Sequence, residues 1–190
     1  KAAASGADAV ITGNWGADML GLGKSLIESG YEGPIFTYYA AGSGITAAFG
    51  ESAKDSIRLV SQGDINPIGS DEARQTYKAF KAKYPDGNID QSRIFNVIGM
   101  LAQAIEGAGT ADDVVAVAGQ LEGMEYASMW GGKVFMRPQD HQIIQNMNVG
   151  VHTNEGIEFD YDNSGFGVLT ESTVEMASMD SPTTCKMKRP

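Results

Sequence analysis

The sequence is poor in the residues that several classes of site require. It contains one cysteine, Cys185, and two histidines, which excludes an internal disulfide and a cysteine-rich zinc site and leaves little for any other metal cluster. Lysine and arginine number 14 against 24 aspartates and glutamates, and a formal charge of −10 argues against a nucleic-acid surface, which needs a concentrated basic face. No apolar run approaches the length of a membrane span. We therefore expect neither nucleic acid as a partner nor a membrane-spanning segment.

What is present is enough apolar sequence for a folded core. Hydrophobic residues make up 42% of the 190 residues, which predicts an ordered chain with one large domain or two small ones. Residues 1–6 resemble the end of a helix, with Gly6 as its stop signal, so we expect the natural start of the protein to lie upstream.

Residues 9–44 are typical of one βαβ unit with two unusual loops at equivalent places. An apolar strand at 9–12, a helix at 17–29 and a second strand at 35–38 are separated by Gly13–Gly16 and by Gly30 to Pro34. In open α/β sheets the loops after both strands lie at the carboxyl ends, where such folds bind ligands. Trp15, Tyr38 and Tyr39 offer flat rings with polar edges there. The alternative is that the glycines only make turns and the aromatic residues are core.

The rest of the chain continues the alternation of α and β. We predict a strand at 56–61 and a helix at 71–83 capped by Ser70. A long helix at 90–108 is apolar around much of its circumference, and we expect it to be packed on more than one side. Thr110 and Asp113 resemble a capping box that opens a helix through Leu121. The last predicted elements are strands at 133–136, 143–151 and 157–161.

Motifs of catalysis are incomplete in this sequence. The run Gly21 to Ser25 imitates the end of a phosphate-binding loop, but Asp18 stands where an earlier glycine is required. Ser43 lacks the outer glycines of a nucleophile elbow, and neither histidine has a recognisable nucleophile nearby. We therefore predict that the chain is not an enzyme and needs no cofactor.

A calcium-loop motif matches the sequence better than these catalytic motifs do. Oxygen-bearing residues occur at calcium-loop spacing at Asp160, Asp162, Ser164 and Glu171. Against calcium, the preceding residues 157–159 are typical of a strand rather than of the entering helix of an EF-hand. A polar turn explains the same residues without a metal, and we prefer that interpretation.

Four segments together resemble the extracytoplasmic solute-binding proteins of ABC importers, in particular the branched-chain amino-acid (leucine/isoleucine/valine-type) receptors. They are residues 7–39, the helix end at 104–109, the segment 132–142 with Asp140-His141-Gln142, and the tail at 184–190. The resemblance implies an α/β, periplasmic-binding-protein-like bilobed fold (type I), a periplasmic or otherwise exported location, and two partners, a small-molecule ligand and an ABC permease. We interpret Asp140-His141-Gln142 as structural, because nothing around it completes a reaction site.

The resemblance also implies an arrangement of lobes. It covers the C-terminal half of such receptors, so the chain is expected to hold pieces of both three-layer α/β/α lobes and to require the missing N-terminal half of the same protein as a partner. Residues 1–62 would belong to the C-terminal lobe, residues 63–147 would return into the N-terminal lobe, and residues 148–190 would cross back and form the tail.

Carried over residue by residue, the resemblance makes Asn14 and Trp15 candidates for ligand contact. Tyr38, Tyr39 and Ser43 follow in the second loop, and Phe95 on the long helix is a further candidate, although core packing explains it as well. The family often places an acid near Tyr39 to pair with a ligand ammonium, but no aspartate or glutamate occurs between Glu32 and Glu51. This local absence favours a ligand whose charge, if any, is a carboxylate.

The predicted function is therefore that of a receptor that captures an amino acid or an aromatic or aliphatic carboxylate between two lobes and delivers it to an ABC importer. The alternative is a ligand-sensing signalling or regulatory domain of the same fold, because a fold does not determine function.

Overall fold

The computed structural model describes residues 3–63 and 65–188. Lys1, Ala2, Asp64, Arg189 and Pro190 lie outside the described residues, and with them the start of the expected opening helix and the end of the tail segment. In chain order the strands and α-helices are β1 (Val10–Thr12), α1 (Gly16–Glu28), β2 (Ile35–Thr37), α2 (Ile45–Phe49), β3 (Ile57–Ser61), α3 (Asp71–Lys83), α4 (Arg93–Ala108), α5 (Val114–Leu121), β4 (Glu125–Ala127), β5 (Lys133–Met136), β6 (Ile143–Gln145), β7 (Met147–Thr153), β8 (Gly167–Val174) and α6 (Met176–Met179). Short 3-10 turns occupy Ala3–Ser5 and Gly50–Ala53.

The main sheet has five strands in the order β1-β2-β3-β7-β8. The first three are parallel, with Val10 beside Ile35 and Ile35 beside Ile57, whereas β7 and β8 run antiparallel to their neighbours. The parallel register places the carboxyl ends of β1, β2 and β3 at one edge of the sheet. The predicted βαβ unit is thus present, and its two loops are neighbours.

Close packing of α1 against Phe49 of α2 depends on a glycine. Gly23 is buried in α1, and a β-carbon there would come within 2.7 Å of the Phe49 ring. Met19 and Leu26 of the same helix are buried with Ile35 and Ile57, and they form the core beneath β1 to β3. The apolar spacing of the helix therefore gives it one buried face.

A second, antiparallel sheet has the order β4-β5-β6. The predicted single strand at 143–151 is divided, because β6 pairs with β5 while β7 pairs with β3 in the main sheet. Residues 143–151 thus connect the two sheets instead of extending one of them.

The predicted strand at 157–161 is wrong. The backbone N–H groups of Glu158 and Phe159 donate to the side-chain oxygen of Asn66, at 2.9 and 3.0 Å, instead of joining a sheet. The strand that pairs with β7 at this edge of the sheet is β8, which follows the polar turn and whose residues from Glu171 to Val174 are exposed. A mostly polar, exposed edge strand lacks the apolar alternation by which strands are predicted.

Capping confirms one helix start and corrects another. The Ser70 hydroxyl accepts a hydrogen bond from the Ala73 N–H at 3.0 Å, as predicted. At α5, however, the cap is Asp113, whose carboxylate accepts from the N–H groups of Val115 and Ala116. Thr110 bonds the Asp112 N–H instead, so the predicted capping box is absent.

The long helix α4 buries only part of its apolar surface within the described residues. Asn96, Met100 and Ala104 are buried, at a spacing of four residues. Four other apolar side chains of the helix are exposed: Ile94, Val97, Ile98 and Leu101. The prediction that this helix is packed on more than one side is thus not met by the residues that the structure describes. No helix among them is both long and apolar enough to cross a membrane.

Candidate functional site

The loops after β1 and β2 form one side of a cavity of about 310 Å³. Their neighbouring positions follow from the parallel pairing of the two strands, in which Thr12 lies beside Thr37. The residues that line this cavity, called here the aromatic cavity, are Trp15, Gly16, Tyr38, Tyr39, Ala41, Gly42, Ser43, Ile45, Leu59, Asp90 and Gln91.

Three aromatic side chains dominate the opening of the aromatic cavity. Trp15, Tyr38 and Tyr39 remain 73%, 54% and 48% exposed, so the protein core does not account for them. The two tyrosine rings lie 6.3 Å apart between centroids and are tilted by 57°. Exposed aromatic rings that gather around a concave surface are typical of a ligand site, because they cover apolar groups while their polar edges form hydrogen bonds.

The second loop is held by hydrogen bonds from residues on both sides. The Thr37 hydroxyl accepts from the Tyr39 N–H at 3.1 Å, and the buried Thr46 hydroxyl accepts from the Gly42 N–H at 3.0 Å. The Asp162 carboxylate accepts from the Gly44 N–H at 2.9 Å. Hydrogen bonds within the protein therefore hold the loop in a defined shape, which reduces the conformational entropy that is lost when a ligand binds.

An acid also lines the aromatic cavity, which the sequence analysis missed. The Ser43 hydroxyl donates to a carboxylate oxygen of Asp90 at 3.5 Å. Asp90 also approaches Gly42 so closely that a β-carbon on that glycine would lie 2.9 Å from the carboxylate, and Gly42 has a φ of +71° that favours glycine. No lysine, arginine or histidine is among the lining residues. The charge of the Asp90 carboxylate is thus not neutralised by a basic side chain of this cavity.

Two sequence candidates lie apart from the aromatic cavity. Asn14 is exposed, and its side chain is hydrogen-bonded to the Thr12 hydroxyl. Phe95 packs edge-on against the buried Trp130, with ring centroids 5.3 Å apart. Neither is among the lining residues, whereas Trp15, Tyr38, Tyr39 and Ser43 all are.

A family match completes these observations. Residues 1–156 match the model of a family described as periplasmic binding protein. The chain belongs to this family. No curated protein sequence matches this member of the family.

Solved structures give the fold of this periplasmic binding protein. A leucine-, isoleucine-, valine-, threonine- and alanine-binding protein from Brucella ovis, in a closed conformation, superposes with a TM-score of 0.84 at 20% identity; the match covers 98% of this chain and 48% of that one. A solute-binding protein from Rhodopseudomonas palustris in complex with benzoate gives a TM-score of 0.67 at 18% identity, with 98% and 48% covered. A leucine-binding protein from Thermotoga maritima gives 0.69 at 14% identity, with 90% and 45% covered.

Two predictions are confirmed by these comparisons. The family resemblance is correct, and the fold is the α/β type I fold of periplasmic binding proteins. This chain spans about half the length of the solved structures that it matches.

The residues of the calcium pattern do not converge in this periplasmic binding protein. Glu171 lies on β8 and forms an ion pair with Arg58 at 3.0 Å. Asp160 accepts from the Gly165 N–H at 2.8 Å, and the Ser164 hydroxyl donates to the Tyr161 carbonyl. Asp162 binds the second loop, as described above. Among the described residues no group of three histidine, cysteine, aspartate or glutamate side chains could hold a metal ion.

The segment Asp140-His141-Gln142 has structural contacts. The Arg137 guanidinium binds both carboxylate oxygens of Asp140, at 2.9 and 2.7 Å, and this pairing holds the pKa of that carboxyl well below its usual range. The same guanidinium binds Asp180 at 2.7 Å, and His141 lies 3.1 Å from Glu122. The segment therefore stabilises the turn between β5 and β6, and Arg137 connects this turn to Asp180 at the end of α6.

Proposed function

We propose that this chain is part of a solute receptor that binds a small metabolite in the aromatic cavity and delivers it to the permease of an ABC importer, outside the cytoplasm. The observation that carries the proposal is the cavity itself. Two loops at the carboxyl ends of parallel strands bring Trp15, Tyr38 and Tyr39 together, exposed and without a role in the core. Membership of the periplasmic binding protein family supports the interpretation of this cavity as a solute site.

The lobe assignment of the sequence analysis is part of this proposal. Residues 1–62 and 148–190 contribute strands to the same five-stranded sheet, whereas the three-stranded sheet lies entirely within 63–147. The boundary runs along a shared apolar cluster in which Tyr77 of α3 packs against Phe159 at 4.4 Å between ring centroids. Closure of two lobes about the segments that connect them is a common way to bury a ligand.

Asp90 changes the expected ligand. The sequence argument for a carboxylate without an ammonium rested on the lack of an acid near Tyr39, and Asp90 supplies that acid from the segment before α4. A carboxylate beside aromatic rings, with no basic residue in the lining, favours a cationic nitrogen. The solved relatives include a protein named for binding five amino acids and one in complex with benzoate. We propose that the ligand of this receptor is an amino acid rather than an aromatic acid such as benzoate.

Calorimetry on the full gene product tests both parts of the proposal. Each probe pair shares an apolar body and differs in the ammonium: leucine against 4-methylpentanoate, and phenylalanine against 3-phenylpropanoate. We expect the amino acid of at least one pair to bind at least ~10-fold more tightly, which corresponds to about 1.4 kcal/mol. Asp90→Asn should remove most of that difference, because it removes the charge that the ammonium needs.

The control is Asp112→Asn, an exposed acid outside the aromatic cavity. It should leave the preference of the wild type intact. Equal binding within both pairs, or tighter binding of benzoate than of either amino acid, contradicts the proposed ligand while leaving the receptor role in place. Failure of a broad metabolite panel to bind or to raise the melting temperature contradicts the receptor role itself.

A further inference from the structure

The aromatic cavity offers a ligand mostly ring surface, because several polar atoms of its second loop are bonded within the protein. The N–H groups of Tyr39, Gly42 and Gly44 donate to side-chain oxygens at 3.1, 3.0 and 2.9 Å. A ligand anion could recruit these donors only by breaking those bonds. Among the described lining residues there is also no lysine, arginine or histidine. The site is therefore better suited to a cationic group than to an anionic one.

Three aromatic rings from neighbouring loops line the cavity. Trp15 follows β1, whereas Tyr38 and Tyr39 follow β2. The centroids of the two tyrosine rings are 6.3 Å apart, and their planes are inclined by 57°. A ring attracts a cation that lies within about 6 Å of its centroid. A single cation can therefore be within reach of both tyrosine rings at once, with Trp15 on the neighbouring loop.

The carboxylate of Asp90 supplies one negative charge beside these rings. The hydrogen bond that it accepts from the Ser43 hydroxyl is 3.5 Å long, whereas a hydroxyl and a carboxylate usually approach to about 2.5–2.7 Å. This bond is thus weak, and the carboxylate can bind a ligand group without giving up a strong partner in Ser43. A cation in the cavity would be attracted by the carboxylate and by the ring faces together.

The chemistry of the cationic nitrogen follows from this lining. A primary ammonium has three N–H donors, and each needs an acceptor when the group leaves water. A trimethylammonium group carries the same charge without any N–H, and its methyl groups make apolar contact with aromatic rings. Three exposed rings with one carboxylate match the trimethylammonium group better, and sites lined by aromatic rings are the ones that recognise quaternary ammonium ligands.

We propose that the aromatic cavity selects amino acids whose nitrogen is fully methylated, that is, betaines. The trimethylammonium group lies among the rings of Trp15, Tyr38 and Tyr39, and Asp90 neutralises its charge. The ligand carboxylate points away from Asp90, because like charges repel. This inference rests on the proposed function, since it starts from an amino-acid ligand and specifies the nitrogen of that ligand.

Calorimetry on the full gene product tests the nitrogen directly. Three pairs of probes differ only in N-methylation: glycine and glycine betaine, leucine and N,N,N-trimethylleucine, and phenylalanine and N,N,N-trimethylphenylalanine. We expect the methylated member of at least one pair to bind at least ~10-fold more tightly. The carbon isostere of the best methylated probe, which is 3,3-dimethylbutanoate for glycine betaine, has the same shape without the positive charge. It should bind at least ~10-fold more weakly than that probe.

Variants separate the contact between cation and ring from plain apolar packing. Trp15→Leu keeps an apolar side chain but removes the ring, so it should lower the affinity for the best methylated probe about 10-fold and the affinity for its isostere less than about 3-fold. Tyr39→Leu repeats the test at a second ring and replaces Trp15→Leu if that variant does not fold. The control is Tyr84→Leu, which removes a ring that is 49% exposed and outside the aromatic cavity, and it should leave both affinities unchanged.

Four results overturn the inference. They are binding of the unmethylated member at least as tightly in every pair, equal binding of the best methylated probe and its isostere, equal losses for these two in the ring variants, and no binding of any of the six probes. The amino-acid proposal is decided by different comparisons, those of leucine and phenylalanine with their analogues that lack the ammonium. A preference for unmethylated leucine over both N,N,N-trimethylleucine and 4-methylpentanoate, for example, would overturn the betaine inference and support the amino-acid ligand.

Discussion

The carboxylate of Asp162 accepts a hydrogen bond from the backbone N–H of Gly44 at 2.9 Å, although 118 residues separate the two in sequence. Its second oxygen accepts from the Ala47 N–H at 3.3 Å. Asn88 completes the arrangement, because its amide donates to Asp162 at 2.8 Å and accepts from the Asp162 N–H at 2.9 Å. Asp162 thus connects the second loop of the aromatic cavity to the segment that carries Asp90.

Asp162→Ala should therefore weaken both the fold and ligand binding. The variant leaves the N–H groups of Gly44 and Ala47 and the Asn88 amide without their acceptor, and we expect a loss of about 3 kcal/mol in the free energy of unfolding. Asp162→Asn keeps one oxygen and should lose about 1 kcal/mol. Urea unfolding measures both values. Asp112→Ala is the surface control, and a loss for Asp162→Ala no larger than for that control would contradict the structural role.

Trp15 allows a test of ligand contact that is separate from stability. Its side chain is 73% exposed, so Trp15→Ala should change the free energy of unfolding by no more than about 0.5 kcal/mol. If the ring covers the ligand, the same variant should lower affinity about 30-fold, a loss of about 2 kcal/mol. Calorimetry with the best ligand of the panel measures the affinity. Ile11→Ala, at an 84% exposed position outside the aromatic cavity, should leave affinity unchanged, and equal effects of the two variants would remove Trp15 from the site.

The sequence predicted the aromatic side of the cavity because that side depends on local order. Once 9–12 and 35–38 are identified as successive strands of a βαβ unit, Trp15, Tyr38, Tyr39 and Ser43 must lie near each other at one edge of the sheet. Asp90 could not be placed in this way. Asp90 lies near Ser43 because Asn88, two residues before it, is hydrogen-bonded to Asp162. No periodicity or spacing in the sequence predicts the contact between Asn88 and Asp162.

The same difference between local order and long-range contacts explains the errors in the fold prediction. Periodicity identified α1 and α3 and the strands β1 to β3, since their apolar residues face a core of nearby elements. Residues 157–161 have the composition of a strand, but the side chain of Asn66 takes the N–H groups of Glu158 and Phe159. The contact that keeps this segment out of a sheet comes from a residue more than ninety positions away in the sequence. Capping at α5 was missed for a smaller reason, because both Thr110 and Asp113 are good N-cap residues.

His152 gives the protein a predictable response to acid. The imidazole is 2% exposed, stacks on Phe166 at 5.1 Å, and donates from Nε2 to the Gly50 carbonyl at 2.8 Å. Burial lowers the pKa of His152 below its ordinary value of 6.5. The unfolded chain therefore binds a proton at a pH where the folded chain does not, so the stability that this group contributes is complete above pH 6.5 and is lost as pH falls through the lower pKa of the folded state.

Urea unfolding between pH 7.5 and 5 measures this contribution. His152→Gln removes the titration while keeping a donor for Gly50, so its stability should decline less steeply with acid than that of the wild type. His141→Gln changes the other histidine, next to Glu122, and should leave the part of the slope due to His152 in place. Parallel curves for the wild type and His152→Gln would show that the buried imidazole does not set the acid response.

Asn66 permits a test in which one atom changes. Its side chain is 1% exposed and fully bonded: the amide nitrogen donates to the carbonyls of Phe159 and Val168 at 2.9 and 3.3 Å, and the oxygen accepts two N–H groups. In Asn66→Asp an oxygen replaces the nitrogen and faces both carbonyls, while a charge is buried. We expect a loss of more than about 3 kcal/mol at pH 7. At pH 4.5 the loss should be smaller, because a protonated carboxyl can again donate to one carbonyl and carries no charge. Asn154→Asp, in an exposed turn, is the matched control and should change stability by less than about 0.5 kcal/mol at either pH. If urea unfolding gave the same loss for Asn66→Asp at both pH values, the donor role of the Asn66 amide would be wrong, and the position of residues 158–159 would need another cause.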